Sequence, residues 1–456
     1  MAADRFSVEG REVVVVGAAR SGLAAADLLR KRGARVTLSE SRTSFDGSAA
    51  LAAAGVRIET GGHQAATLAA ADLVVVSPGV PVEQPEFEAA RARGVEIIGE
   101  LEMASRWLEG RVIAVTGTKG KSTTSTLIGR MLSAAGHHVL VGGNIGVPLS
   151  AQVEASTEAT LHVVEVSSFQ LATTTTFRPW VAVWLNLTDD HLDRHASLQE
   201  YGDAKARIFA NQVPADFAVV NADDPAVVTY SARTFATRVW YSLSGNVSDG
   251  YTVSDGWIGR RTRSAFERLV PVTAVQLPGT HMLGNVIAAT AAASLGGAAA
   301  PAMERAVRGF TGLEHVMEPV GAIGKVRFVN DSKATNVGAA RKSIESYDSG
   351  VVAIVGGRYK GGDLGELKDA MAGRGRAVVA IGEAAPQVEA AMAAALPVVR
   401  AGSMAEAVAR AYEAAGQEGV VLLAPACASF DWFRDYAERG NSFREEVARL
   451  KARVEG

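Results

Sequence analysis

The sequence contains a single cysteine, Cys427, among its 456 residues. A disulfide framework and a cysteine-ligated zinc site are thereby excluded, and a reducing compartment such as the cytoplasm is indicated. No apolar run reaches the roughly 20 residues that a membrane-spanning helix needs, and the first residues do not show the basic-then-apolar pattern of a signal peptide. The net charge of −3 comes without a block of lysine and arginine, which argues against a nucleic-acid partner.

The length and the pattern of apolar residues indicate several α/β domains. At about 150 residues per domain, the chain is long enough for two or three. Continuous β-forming runs alternate with alanine-rich helical patterns, which predicts βαβ units and parallel sheets. Blocks led by such strands begin near residues 13, 112 and 326. We therefore predict an α/β fold of three Rossmann-like domains with mainly parallel sheets, the central one of the P-loop ATPase type.

The most informative segment runs from residue 111 to 124 and reads RVIAVTGTKGKSTT. Its order of strand, glycine loop and helix is typical of a P-loop, in which backbone N–H groups and the start of a helix hold phosphates. Lys121 would reach the β- and γ-phosphates, and Ser122 would ligate Mg²⁺. Val115 stands where the usual pattern has its first glycine, so this loop is a variant in which Gly117 supplies the flexibility.

The first block opens like a dinucleotide-binding unit. A strand at 13–16 is followed by GAARSG and a helical pattern, and a second strand ends near Glu40. The glycine spacing departs from G-x-G-x-x-G, so a nicotinamide site is not favoured. The strand ends near 39–41 and 77–80 nevertheless predict a crevice for a nucleotide of some kind.

Polar residues also follow the later strands. Glu165 ends one strand, where a second Mg²⁺ ligand beside a P-loop serine is expected. The segment 188–195, TDDHLDRH, has the acids and histidines that suit metal or phosphate chemistry. In the last block the polar segments are 330–336 (NDSKATN), 356–363 (GGRYKGGD) and 424–431 (APACASFD). They suit a nucleotide, an anionic group and a carboxylate respectively, although the glycine-rich segment is equally consistent with a flexible turn.

Taken in chain order, these segments resemble the Mur ligase family, the ATP-dependent amide-forming enzymes of peptidoglycan synthesis. The resemblance covers nearly the whole chain. It rests on TGTKGKST, GGNIG, VEVSSFQL, NLTDDHLDRH, YGDAKARIF, NDSKATN, GGRYKGGD and PACASFDWFRDYAERGNSF. One of these motifs alone would be weak evidence, but the whole series in register is specific.

The resemblance implies a reaction in two steps. ATP phosphorylates the carboxylate of a UDP-linked muramoyl substrate, and an amino acid amine then attacks the acyl phosphate, releasing ADP and phosphate. The implied small-molecule substrates are UDP-N-acetylmuramoyl-L-alanine and D-glutamate, acted on by a cytoplasmic monomer with no membrane or nucleic-acid partner. Two alternatives stay open: a ligase for L-glutamate or another amino acid, and an inactive nucleotide-binding relative.

The resemblance also implies a role for each domain and for individual residues. Residues 1–105 would bind the UDP substrate, 106–315 would bind ATP, and 316–456 would bind the amino acid. The implied ATP ligands are Gly117, Thr118, Lys119, Gly120, Lys121, Ser122, Thr123, Asn285, Asp331 and Lys333. The implied UDP-substrate ligands are Ser41, Gly79, Asn144, Ser167 and Gln170, and the implied D-glutamate ligands are Thr335, Lys360, Ser429 and Phe430.

The same resemblance implies two Mg²⁺ sites, with Ser122, Glu165, His191 and Lys205 as ligands. Lys205 would carry a carbamate derived from CO₂, because an unmodified ammonium would repel the metal. Lys121, Glu165, His191 and Lys205 would be the catalytic residues.

Two positions depart from the family pattern. Met282 stands where an asparagine often follows the histidine, and Val316 stands where an arginine often does. The contacts to adenine and phosphate are therefore expected to differ, with Arg358 as a possible electrostatic substitute. No Asp-Asn-Pro-Arg motif of the diaminopimelate-adding members is present, and the first block distinguishes the chain from folylpolyglutamate synthase.

Overall fold

The structure is a computed structural model that describes residues 6–188, 194–276, 280–359 and 361–456, without the side chains of 280 and 281. The chain divides after Phe310 into two compact units. The first unit contains two of the three sheets and the second unit contains the third. The domain boundaries expected at 105 and 315 stay predictions. No helix in the described ranges combines the length and the apolar character that crossing a bilayer requires.

The first sheet is entirely parallel. Its strands are β1 (Glu12–Val16), β2 (Arg35–Glu40), β3 (Arg57–Thr60), β4 (Leu73–Val76) and β5 (Glu96–Gly99). The helices are α1 (Arg20–Lys31), α2 (Ser48–Ala53), α3 (Ala65–Ala69), α4 (Glu88–Ala92) and α5 (Glu100–Ser105). The order is β3-β2-β1-β4-β5, so the chain changes direction across the sheet between β1 and β4. A crevice opens at such a point, beyond the carboxyl ends of the strands.

The second sheet surrounds the P-loop strand. Its strands are β6 (Arg111–Thr116), β7 (His138–Gly143), β8 (Thr160–Glu165), β9 (Val181–Trp184), β10 (Phe217–Asn221), β11 (Thr237–Tyr241), β12 (Gly250–Ser254), β13 (Trp257–Arg261) and β14 (Phe266–Pro271). The helices are α6 (Lys121–Ala134), α7 (Ser168–Ala172), α8 (Leu198–Ala206), α9 (Pro225–Tyr230), α10 (Thr280–Leu295) and α11 (Ala300–Arg308). Short 3₁₀ helices of this unit lie at Pro85–Phe87, Leu149–Ala155, Arg207–Phe209, Ser231–Arg233 and Val272–Ala274.

One edge of the second sheet departs from the expected parallel pattern. The order is β14-β13-β12-β11-β10-β9-β6-β8-β7, and β12, β13 and β14 pair antiparallel. A tight turn joins β12 to β13, with Asp255 at φ 51° and Gly256 at φ 75°. Positive φ at both central residues is the geometry that lets two antiparallel strands follow each other directly. The sequence reading identified only the βαβ units and missed this extension.

The third sheet forms the second unit. Its strands are β15 (Glu318–Ile323), β16 (Lys325–Asn330), β17 (Val351–Gly356), β18 (Gly375–Ile381), β19 (Val398–Ala401) and β20 (Glu418–Leu423). The helices are α12 (Val337–Glu345), α13 (Gly365–Met371), α14 (Ala385–Met392), α15 (Met404–Ala415) and α16 (Tyr436–Glu455). The order is β15-β16-β20-β17-β18-β19, parallel except for the β15–β16 pair. The loops that follow β16, β20 and β17 are therefore neighbours. The prediction of three mainly parallel α/β sheets is confirmed.

A buried carboxylate fastens the first sheet to the second. Glu102 on α5 is fully buried and accepts backbone N–H bonds from Thr175, Thr176 and Phe177 at 2.9 to 3.1 Å. The Thr176 and Thr175 hydroxyls also donate to this carboxylate, and the Arg106 guanidinium adds a bond of 2.9 Å. Burial alone would raise the pKa of Glu102, but these donors outweigh it and lower the pKa to about 2. The carboxylate is thus ionised and holds the loop after α7 in place.

Candidate active site

The P-loop lies between the end of β6 and the start of α6, as predicted. Gly117 has φ 147° and Gly120 has φ 84°, backbone conformations that L side chains rarely adopt. A Cβ atom on Gly120 would also collide with the side chain of Asn285 on α10. Both glycines are therefore required by the local geometry, and Asn285 lies against the loop. The first N–H groups of α6 have no partner within the helix, which makes this end a site for anions.

Two lysine ammonium groups converge on one carbonyl oxygen of this loop. Lys121 Nζ lies 3.0 Å from the Gly117 oxygen and 2.9 Å from the Thr118 oxygen. Lys205 Nζ, on α8, lies 2.8 Å from the same Gly117 oxygen. The Lys205 side chain is 1% exposed. The structure thus brings together two of the lysines that the sequence analysis assigned to catalysis.

A carboxylate, a hydroxyl and an amide meet beside the loop. Strand β8 lies next to β6, with Val115 in register with Glu165. The Glu165 carboxylate accepts a hydrogen bond of 2.6 Å from the Ser122 hydroxyl and one of 2.7 Å from the Asn144 amide. Oxygen donors of this kind suit Mg²⁺, which usually takes one or two protein ligands and keeps several waters. The pair of Ser122 and Glu165 therefore fits a magnesium ion.

A cavity of about 350 Å³ opens at the crevice between β1 and β4. Four predicted UDP-substrate residues line it: Ser41, Gly79, Asn144 and Gln170. Ser167 is not among the residues that line it. Its hydroxyl caps α7 by accepting from the Gln170 N–H, a role that the Ser-x-x-Gln spacing indicates and that the sequence analysis did not use.

Glu40 shapes the floor of the cavity. Its carboxylate accepts the Ala18 N–H at 2.7 Å and a pair of bonds from Arg42. Burial opposes ionisation, but the bonds from Arg42 and from backbone N–H groups lower the pKa of Glu40 to about 2. An internal carboxylate thus occupies the N–H donor of the first glycine loop.

The second unit brings three polar loops to one edge of its sheet. Ala426 adopts φ 59°, and its N–H donates to the Ala334 oxygen at 2.9 Å. Arg358 and Ala428 exchange backbone hydrogen bonds of 2.8 and 3.0 Å. An L residue in the left-handed region is strained by roughly 1–2 kcal/mol. The hydrogen bonds of Ala426 and Ala428 offset this strain and stabilise the turn.

Arg439 of α16 connects the loop after β16 to the loop after β20 by hydrogen bonds. The sequence analysis assigned it no role. The side chain is 1% exposed. Its guanidinium donates to the Ser332 hydroxyl, the Ser332 carbonyl and the Cys427 carbonyl at 3.0, 2.8 and 3.1 Å. Burial lowers the pKa of Arg439 to about 10. The only signal in the sequence was its position within the ERGNSF segment.

The predicted amino acid ligands lie on these loops. Ser429 is buried, and its hydroxyl has no hydrogen-bond partner among the described residues. Phe430 beside it is 61% exposed, and Thr335 follows on the neighbouring loop. A hydroxyl in this position is able to donate a hydrogen bond to a carboxylate.

The two predicted nucleotide ligands of the second unit, Asp331 and Lys333, differ in their exposure to solvent. The Asp331 carboxylate is buried and accepts from the Ser343 hydroxyl and from the Met317 N–H, so it has internal partners. Burial raises the pKa of Asp331, and these two bonds oppose that shift. Lys333 is exposed. His191 and Lys360 lie outside the described residues.

The structure describes both residues that depart from the family pattern, Met282 and Val316. Met282 lies on α10 and is partly buried, and Val316 lies in the segment before β15. His315 has φ 63° and accepts from the Asn330 amide at 3.0 Å. Arg358, considered as an electrostatic substitute, forms bonds of 3.0 and 3.1 Å with Glu383. Its guanidinium is therefore engaged within the second unit.

The fold and these sites define a P-loop nucleotide-binding α/β protein with a separate carboxyl-terminal Rossmann-like unit. Three family models match in chain order: the Mur ligase MurD-like N-terminal domain over residues 11–99, the Mur ligase middle domain over 115–293, and the Mur ligase glutamate ligase domain over 317–427.

Curated relatives match almost from end to end. The UDP-N-acetylmuramoylalanine–D-glutamate ligase of Acidobacterium capsulatum is 46% identical, over 97% of each chain. The enzyme of the same name from Geobacter metallireducens is 44% identical, over 98% of this chain and 99% of its own. The chain therefore belongs to the Mur ligase family, whose members depend on ATP.

Solved structures share the fold at lower identity. The UDP-N-acetylmuramate-alanine ligase MurC of Thermotoga maritima superposes with a TM-score of 0.55 at 18% identity, over 97% of this chain and all of its own. A pseudomurein peptide ligase type C from Methanothermus fervidus gives a TM-score of 0.54 at 18% identity, over the same shares.

Proposed function

We propose that this chain is the ligase that adds D-glutamate to UDP-N-acetylmuramoyl-L-alanine in peptidoglycan synthesis, with ATP converted to ADP and phosphate. The names of the curated relatives support this reaction. One observation in the structure carries the assignment: Asn144 lines the cavity at the first sheet and also donates to Glu165 beside the P-loop. A substrate in that cavity would have its reacting end directed toward the site of the nucleotide.

The residues of the P-loop support the first chemical step. The γ-phosphate of ATP passes to the substrate carboxylate, giving an acyl phosphate and ADP. Two anions must approach for this to happen, and cationic groups next to them lower the barrier most. Lys121 and the N–H groups at the start of α6 would hold the phosphates. Mg²⁺, held by Ser122 and Glu165, would supply further positive charge to the triphosphate.

The second step needs an amine held near the acyl phosphate. The neutral amine of D-glutamate attacks the acyl carbon, the carbon–nitrogen bond forms and the bond from that carbon to the phosphate oxygen breaks. Phosphate leaves, and the proton that the nitrogen loses ends on the phosphate or in solvent. In the second unit, the Ser429 hydroxyl, which has no hydrogen-bond partner within the described part of the chain, is suited to donate to a carboxylate of the amino acid. Thr335, Lys360 and Phe430 are the other proposed ligands, and Asp331 and Lys333 are proposed to contact the nucleotide.

Lys205 is proposed to carry a carbamate and, with His191, to hold a second Mg²⁺. The neutral amine of Lys205 would bond to the carbon of CO₂ and release a proton to solvent. Lys121 and Lys205 both lie against the Gly117 oxygen, so a carbamate on Lys205 would place a negative charge close to the Lys121 ammonium, and the two groups would attract each other. A carbon-13 NMR signal from labelled bicarbonate, present in wild type and missing in Lys205→Arg, is the expected result. An identical spectrum for the two proteins would contradict it.

The reaction is tested by phosphate release with the UDP substrate, ATP and each glutamate enantiomer. We expect release only when both substrates are present, and only with D-glutamate. Glu165→Gln should abolish it, whereas Glu158→Gln, at an exposed position before β8, should not. Turnover without the UDP substrate, or equal rates with L-glutamate, would contradict the assignment. A cytoplasmic, monomeric enzyme without a membrane partner is proposed with it.

A further inference from the structure

Asn186 lies two residues beyond the end of β9, next to the P-loop. Strands β6 and β9 are neighbours, with Thr116 in register with Trp184. The Leu185 N–H still donates to the Thr116 oxygen at 3.0 Å. The chain therefore leaves the sheet directly beside the loop that leaves β6, and the side chain of the next residue reaches that loop.

The Asn186 amide makes three hydrogen bonds to the P-loop backbone. Its Oδ1 accepts from the Thr118 N–H at 3.0 Å and from the Lys119 N–H at 2.8 Å. Its Nδ2 donates to the Lys119 carbonyl at 3.0 Å. A side chain must both accept and donate to do this, which a carboxylate or an aliphatic group does not.

Backbone groups reinforce the contact. The Asn186 carbonyl accepts a second bond from the Thr118 N–H at 3.1 Å. The Thr118 hydroxyl accepts from the Thr188 N–H at 3.0 Å and donates to the Thr188 carbonyl at 3.2 Å. Residues 186 and 188 thus clamp the loop at two consecutive positions, 118 and 119.

The clamped residues 118 and 119 lie between Gly117 and Gly120. Glycine loses more conformational freedom on ordering than any other residue, so this segment is costly to order. A loop that is ordered only when ligand binds reduces affinity by that ordering cost. The clamp also occupies the N–H groups of residues 118 and 119, which leaves those at the start of α6 for phosphate.

We propose that Asn186 is a positioning residue for the nucleotide, which holds the P-loop in its phosphate-binding shape before ATP arrives. This role rests on the proposed function, in which the loop binds ATP. Asn186 acts through the loop backbone, and its loss is expected to affect ATP and neither of the other substrates.

The test uses Asn186→Ala in the full-length protein, with a fluorescent ATP analogue and with steady-state kinetics. We expect the dissociation constant of the analogue and the KM for ATP to rise roughly 10-fold or more, equivalent to about 1.4 kcal/mol. The KM values for the UDP substrate and for D-glutamate should stay within about two-fold. Amide hydrogen exchange at residues 118 and 119 should become faster.

Two further variants sharpen the result. Asn221→Ala is the matched control. The Asn221 amide, at the end of β10, donates to the Leu185 carbonyl just beyond β9. Within the described residues it makes no hydrogen bond to the P-loop. This substitution should leave ATP binding unchanged. Asn186→Asp keeps an oxygen that accepts from both N–H groups but loses the donor to the Lys119 carbonyl, so exchange at 118 and 119 should lie between that of wild type and that of Asn186→Ala.

The inference is overturned if Asn186→Ala binds the analogue like wild type, or if it weakens all three substrates equally. Unchanged amide exchange in Asn186→Ala would overturn it as well, and that measurement needs no nucleotide. A wild-type protein that fails to bind the ATP analogue would instead refute the proposed function, even where the exchange data show that the clamp exists.

Discussion

Replacing Glu102 by glutamine tests the anchor between the two sheets of the first unit. The Glu102 carboxylate has no exposure to solvent and accepts from three consecutive backbone N–H groups and from Arg106. Glutamine has nearly the same shape, but it carries no charge. Its NH₂ group would face N–H donors that then lack an acceptor, and an unsatisfied buried donor costs about 1–3 kcal/mol.

The magnitude follows from the pKa of Glu102, which is lowered from 4.5 to about 2. At 1.36 kcal/mol for each pKa unit, the ionised carboxylate contributes about 3 kcal/mol to the free energy of unfolding. Because the folded protein binds this proton less tightly than the unfolded chain does, the contribution is complete above pH 4.5. It is lost as the pH falls from 4.5 toward 2.

The assay is urea unfolding followed by tryptophan fluorescence, from neutral pH down into the acid range. Glu102→Gln should be less stable than wild type by about 3 kcal/mol at neutral pH, and the difference should shrink as the pH falls below 4.5. Glu96→Gln is the control, because Glu96 also pairs with Arg106 but its side chain is 40% exposed. Its effect should stay below about 1 kcal/mol. A pH-independent difference, or equal effects of the two variants, would refute the reasoning.

Three further predictions concern the glycine loops and a buried histidine. Gly120→Ala should weaken ATP binding at least about 10-fold in a titration, because its Cβ would collide with Asn285. Gly357→Ala should lower the thermal unfolding temperature more than Gly361→Ala, because only the first Cβ meets neighbouring backbone. Burial, with the nearby charge of His138, lowers the pKa of His162 from 6.5 to about 4. As the pH drops from 6.5 to about 4, the unfolded chain binds a proton at this histidine and the folded protein does not, so the free energy of unfolding should fall. His162→Asn should remove this part of the pH dependence of urea unfolding.

Each of these has an outcome that would contradict it. Unchanged ATP affinity in Gly120→Ala would show that Asn285 moves away without cost. Equal effects of Gly357→Ala and Gly361→Ala would show that backbone strain alone matters there. A pH profile of His162→Asn that matches wild type would exclude the histidine as a source of acid sensitivity.

The fold class was predictable because the central parallel strands of the sheets, such as β1, β4, β8 and β17, are buried along almost their whole length. Val13 to Val16 are at most 3% exposed, and such a strand reads as a continuous apolar run. The antiparallel strands β12 to β14 were missed, since each contains only two or three consecutive buried residues and none shows a continuous apolar run. Their turn at Asp255 and Gly256 was the signal that a closer reading would have used.

The residues of the P-loop were also predictable, because a phosphate site built from backbone N–H groups needs glycine, lysine and serine close together in the chain. Asn186 begins the NLTDDHLDRH motif. The sequence analysis assigned function to the acids and histidines of that motif and not to Asn186. Glu102 had no local signal, and the only signal for Arg439 was its position within the ERGNSF segment. Their roles depend on partners about 70 to 107 residues away in the chain.

The sequence by itself determined the βαβ units, the phosphate loop and the series of family motifs, because these depend on neighbours along the chain. Only the tertiary structure decided which side chains hold the loops in shape. Asn186, Glu102 and Arg439 each compensate backbone groups that no local hydrogen bond can satisfy. A buried polar group must find its partner wherever the fold places one, and that position is set by the packing of the sheets.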